Sequence, residues 1–182
     1  MNMAVWNKAS PRRRRILSII AVLVMAMAVT AIGSQLPVNR EQANQISDEL
    51  NQTIAILESH GALTQYIFGN NFMICLLMFV PLIGPLAGLF IMFNTGSAIG
   101  AIATTGGYSP IVALVALFIT PVAWLEFTAY STAMAESVWL FRRLLQGLGV
   151  RELRKASVFV SICAVILAVG AIVEVALISV AS

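Results

Sequence analysis

From Ile16 to Leu36 the chain reads ILSIIAVLVMAMAVTAIGSQL, without one charged side chain, directly after Arg12-Arg13-Arg14-Arg15. An apolar run of about 20 residues is what a helix needs to cross a hydrocarbon core of about 30 Å. Long apolar stretches recur over residues 72–103, 110–140 and 157–180. In lipid every backbone polar group must be bonded within its own segment, so such runs fold as helices. The 182 residues are 59% hydrophobic and 10% charged, against about 45–50% and about 25% in a soluble domain. A soluble globular protein is excluded. An all-α integral membrane helical bundle, one membrane domain over residues 16–182 behind a basic tail at residues 1–15, is expected.

The same composition limits the chemistry. The chain has one histidine, His60, and two cysteines, Cys75 and Cys163, too little material for His/Cys metal clusters or Cys-His catalysis. No Ser/His/Asp set, phosphate-binding glycine loop or metal-ligand spacing stands out. No catalytic residue, metal or cofactor is assigned, and the chain is read as not an enzyme. The net charge of +3 comes from basic blocks beside apolar runs, where they act as topology signals rather than as a nucleic-acid surface.

Basic residues stay on the cytoplasmic side, so Arg12–Arg15 put the N-terminus in the cytoplasm. A cleaved signal peptide is the rival reading, with Val29-Thr30-Ala31 as a small-residue processing site. Either way the next segment lies outside. It holds Glu41, Asp48, Glu49 and Glu58 against Arg40, and its Ala43, Ile46, Leu50, Ile54 and Leu57 recur at intervals of three and four. That spacing makes an extracytoplasmic amphipathic helix over about 40–59. Its stripe either rests on the membrane or the span ends, or binds a partner. Asn51-Gln52-Thr53 is also a formal glycosylation sequon.

The segment FRRLLQGLGVRELRKAS carries Arg142, Arg143, Arg151, Arg154 and Lys155 against Glu152, and is expected in the cytoplasm. Passing from outside to inside takes an odd number of crossings, and residues 64–140 are too many for one. Three are expected, with a turn hidden at Pro81, Gly84 and Pro85. This gives five spans, at about 16–36, 64–83, 86–105, 110–140 and 157–180, with an outer turn at Thr104-Thr105-Gly106-Gly107-Tyr108 and the C-terminus outside. The fourth would be roughly 46 Å as one rod, so Pro121 is expected to break it.

Ionisable groups cost several kcal/mol in hydrocarbon, so each is a site hypothesis. Glu136 is expected to pair with Arg143, seven residues on and on the same helix face. Glu126 and Glu174 come out roughly 8 and 9 Å below the outer boundary, from a rise of 1.5 Å per residue. If they share a layer, one holds a proton or the pair holds a cation. Asn70 and Asn71 lie near that level and Asn94 deeper. The five form an expected intramembrane polar cluster, either a register-fixing network or a pathway. Gly84/Gly88 and Gly96/Gly100 are G-x-x-x-G pairs that let helices approach closely, within one chain or between two. Cys75 and Cys163 are placed in opposite leaflets, too far apart to pair.

The residues from Ile67 to Leu177 resemble the stage II sporulation protein M family. The resemblance rests on Ile67-Phe68-Gly69-Asn70-Asn71, on Asn94-Thr95-Gly96 with Gly100, on Pro121-Val122-Ala123-Trp124-Leu125-Glu126, and on Ala171-Ile172-Val173-Glu174. Val122 and Ala123 stand where the family commonly has His and Gly, and Thr95 is inserted in the Asn-Gly pair. The resemblance implies a multi-pass component of the cell membrane; the founding member works with cell-wall-degrading partners during engulfment in spore formers. The function expected is a non-enzymatic membrane subunit or scaffold assembling with membrane or envelope proteins or with itself. The alternative is a small transporter or proton/cation-coupled permease using Glu126 and Glu174, with an intramembrane hydrolase a distant third.

Overall fold

The computed structural model describes residues 10–181, so residues 1–9 of the expected tail lie outside it. Hydroxyl caps in front of proline start three of its helices: Ser10, Ser109 and Thr120 each accept a backbone N–H, from Arg13, Ile111 and Ala123, and each precedes a proline in the first turn. The helices among the described residues are α1 (Pro11–Ser34), α2 (Arg40–Ser59), α3 (Leu63–Met78), α4 (Ile83–Gly106), α5 (Pro110–Ile119), α6 (Pro121–Leu145) and α7 (Gly149–Ala181), with no strand. Because α1 opens at Pro11, the four arginines form its first turns instead of ending a tail. The basic segment after α6 is likewise mostly helix, interrupted only at residues 146–148, where Gly147 takes φ +72°.

By length and composition α1, α4 and α7 can each cross a membrane. A fourth span results if α5 and α6, bent by 85° at Thr120, count as one. Trp124 Nε1 donates across the bend to the Phe118 carbonyl at 2.8 Å, and the rings of Phe118 and Phe127 meet edge to face at 5.4 Å. α3, with 16 residues, is about 24 Å long, the apolar helix that falls short.

The reversal between α3 and α4 falls at residues 79–82, one turn earlier than Gly84-Pro85. Leu82 carries it, at φ +71°, an uncommon conformation for a residue with a side chain. Pro81 lies in the turn; Pro85 sits in the first turn of α4, where its missing N–H costs no helical bond. Gly84 serves a different purpose, since a Cβ there would collide with the Met78 carbonyl.

α1 lies against α4 along a seam of small residues. Gly96 sits under the Thr30 carbonyl, Gly100 under that of Ser34, and Gly33 against that of Phe93, each leaving no room for a Cβ. Gly88 is filled instead by the side chains of Met134 and Met78. Both G-x-x-x-G pairs are therefore used inside the chain. Ser137 Oγ on α6 donates to the Val80 carbonyl at 2.6 Å. Cys75 and Cys163 are neighbours, not residents of opposite layers: both are fully buried and both thiols donate to the Ala129 carbonyl. Counting rise from uncertain span ends misplaced them.

At one end of the bundle Arg15 reaches inward. Its Nη1 meets Glu136 Oε2 at 2.5 Å, its Nη2 meets Glu152 Oε1, and Lys155 Nζ meets Glu152 Oε2 at 3.1 Å. The guanidinium lies 5.5 Å from the Trp139 ring and 5.9 Å from Phe159. Glu136 thus pairs with α1 rather than with Arg143, which turns to Gln146 at 2.9 Å; the partner comes from a distant segment that helix-face spacing does not reveal. Removing one member of a buried ion pair strands the other, at about 3–5 kcal/mol, and Glu136 and Glu152 are 2% and 3% exposed. Arg15→Ala should lower unfolding free energy in detergent by about that amount, whereas exposed Arg13→Ala should stay within about 0.5 kcal/mol; equal effects in a denaturant titration would refute this network.

Candidate functional site

At the other end of α6, Glu126 lies one turn into the helix behind the Thr120 cap and Pro121. The residues at 122 and 123 are buried in that first turn, so the positions that depart from the family's His and Gly pack against the bundle. Asn71 of α3 donates to Glu126 Oε1 at 2.5 Å, and Asn70 Nδ2 stands 3.5 Å from Asn71 Oδ1. Glu174 of α7 faces the same space. Together these four residues line a cavity of about 270 Å³.

The expected polar cluster is thus assembled from three helices, with one exception. Asn94 is exposed and returns its amide to the Phe90 carbonyl of its own helix at 2.8 Å. The reason is angular: Met92 and Gly96 face the bundle, and a residue two positions from each is turned by about 200°, to the opposite face. Thr95, next in the chain, lines the cavity in its place. Tyr66 and Tyr130 line it too and were not anticipated. Tyr130 was legible in principle, four residues after Glu126 and hence on the same helix face; Tyr66 depended on where α3 begins.

The stripe of α2 turns toward the bundle. Ala43 is fully buried, Ile54 and Leu57 are half-buried, and Ile46 and Leu50 remain 37% and 44% exposed. The last four border a groove of about 350 Å³ between α2, α3, α4 and α7. As a free face for a partner the full stripe is therefore corrected: its N-terminal member, Ala43, is buried. Tyr66, Ile67 and Glu174 line both groove and cavity, which adjoin. His60 stays exposed at the end of α2, its ring nitrogen 2.7 Å from the Ile56 carbonyl.

The described residues form a helical bundle whose long apolar helices fit a membrane protein. The family model described as stage II sporulation protein M matches residues 16–178. The chain belongs to that family. Comparison with curated proteins and with solved structures gives no match.

Leaving a partly buried carboxyl without its donor costs about 1–3 kcal/mol. Asn71→Leu should therefore destabilise the protein by about that much, and Asn94→Leu, on the outward face, by no more than about 0.5 kcal/mol. Thermal unfolding of both variants in the same detergent checks the contrast; a larger loss from Asn94→Leu would overturn the placement.

Proposed function

We propose that the chain is a non-enzymatic integral membrane subunit, a scaffold that holds α2 on the outer face of the cell membrane for membrane or envelope partners. The observation that carries this reading is the exposure of Ile46 and Leu50 on a helix that also presents Glu41, Asp48, Glu49 and Glu58. The helix packs on α4 and buries Ala43, yet leaves apolar side chains beside an acidic surface. Such a mixed face suits a protein partner better than a lipid surface, where a helix in the interface carries Lys and Arg.

The proposed topology has five crossings, with α3 as a short span and α5–α6 as a broken one. What supports it is that Arg15 and the basic segment around Arg142 to Lys155 gather at one end, through the contacts of Arg15 with Glu136 and Glu152. Two basic clusters on one side match cytoplasmic retention of both. The N-terminus is then cytoplasmic and the C-terminus outside.

Accessibility labelling tests the topology, because Cys75 and Cys163 are fully buried and give little background. A cysteine at Ile83 or Gln146 should react only from the cytoplasm, and one at Tyr108 only from outside. Labelling of position 83 from outside would show that α3 does not cross.

The scaffold reading predicts a stable complex in mild detergent that Ile46→Glu combined with Leu50→Glu reduces at least tenfold, with membrane insertion unchanged. Recovery of the wild-type chain alone, with no partner and no self-association, would overturn it.

A further inference from the structure

The polar cavity and the groove beside it differ in character but share a wall. The cavity presents the carboxyls of Glu126 and Glu174, and the groove adds Glu49; among the described residues no Lys, Arg or His lines either space. Asn71 occupies one oxygen of Glu126, while the carboxyl of Glu174 has no hydrogen bond or ion pair among the described residues. Tyr130 is 4% exposed, lines the cavity, and its hydroxyl likewise bonds to no described residue. Tyr130 is buried and Glu174 half-buried; polar groups so placed are ordinarily satisfied, and a phenol and a carboxyl lining one hollow point to a guest that satisfies both.

The charge and shape of the site select the guest. Two acids without a base call for a cation. A bare metal ion fits poorly: no group of three His, Cys, Asp or Glu among the described residues is placed to hold one. The volume of about 270 Å³ also exceeds the roughly 150 Å³ that accepts a benzene ring. The aromatic side chains of Tyr66, Phe127 and Tyr130 on the wall suit an organic ammonium group. Beyond Tyr66 and Ile67 the groove offers Ile54, Leu57 and Ile178, an apolar bed for the rest of the molecule. A zwitterionic phospholipid head would place its phosphate among carboxyls with no basic residue to receive it.

We propose that the cavity binds an amphiphilic primary amine, with its ammonium between Glu126 and Glu174 near the Tyr130 hydroxyl and its apolar body running toward Ile54 and Leu57. The ammonium end of this site, in the cavity, does not involve Ile46 or Leu50, which border only the adjoining groove, and it does not depend on any protein partner.

The experiment follows thermal unfolding of the purified full-length protein in nanodiscs at pH 7 with 2-phenylethylamine, 2-phenylethanol and phenylacetate, which share a ring and differ in charge. The amine should raise Tm saturably and the alcohol and acid should not. Glu126→Gln and Glu174→Gln should each weaken amine binding at least tenfold. Tyr130→Phe, which keeps the ring, should weaken it several-fold, so the site is tested even where a glutamate variant folds poorly. Equal stabilisation by the alcohol, no stabilisation by the amine, or unchanged affinity in all three variants would overturn the proposal. In nanodiscs of phosphatidylethanolamine the affinity should equal that in phosphatidylglycerol; loss of the amine effect there would overturn it in favour of a lipid headgroup.

Discussion

The close approach of α1 to α4 is the constraint on which the rest of the bundle depends. Between helices in lipid there is no hydrophobic driving force, because the acyl chains are as apolar as the side chains; association relies on tight packing and on interhelical hydrogen bonds. Gly33, Gly96 and Gly100 bring the two backbones together where a single methyl would separate them. Ser97 Oγ adds a contact across the seam, 3.4 Å from the Gly33 carbonyl. With α1 set at that depth, Arg15 arrives level with Glu136 and Glu152 and ties α1 to α6 and α7. α4 also packs against α2 and contributes Met92 and Thr95 to the cavity wall.

Much of this was legible because it is local. The bounds of α2, Arg40–Ser59, follow from its apolar spacing and its Asn39 cap, both properties of neighbouring residues. The meeting of Glu126 with Glu174 followed from the fixed rise of a helix, once the direction of each span was set by the arginines. The turn between α3 and α4 was located only to within a turn, since Pro81, Gly84 and Pro85 all carry breaker chemistry and nothing local says that Gly84 is needed for contact with Met78 instead.

What sequence did not reveal is long-range. Arg15 reads as one of four equivalent topology signals, and only the packing of three helices selects it for Glu136 and Glu152. Asn94 reads as a better site residue than Thr95, being a stronger hydrogen-bonding group, yet the rotation of α4 set by Gly96 and Gly100 turns it away. The cysteine pair failed for a related reason: small errors in the assumed ends of α3 and α7 accumulate along the rise, and both thiols meet at Ala129.

The two ends of the bundle handle buried glutamate in opposite ways. At the basic end Arg15 and Lys155 sit among Glu136 and Glu152, so the chain supplies the counter-charge and packs Trp139 and Phe159 around it. At the other end Glu126 receives an amide, and Glu126 and Glu174 line open volume with no cation on the wall among the described residues. An acid in hydrocarbon is expensive wherever it lies. If both pairs only fixed helix register, the economical solution of one end would serve at the other. The contrast lies in compensation: one pair of glutamates takes its counter-charge from the chain, and the other lines open volume beside a single amide donor.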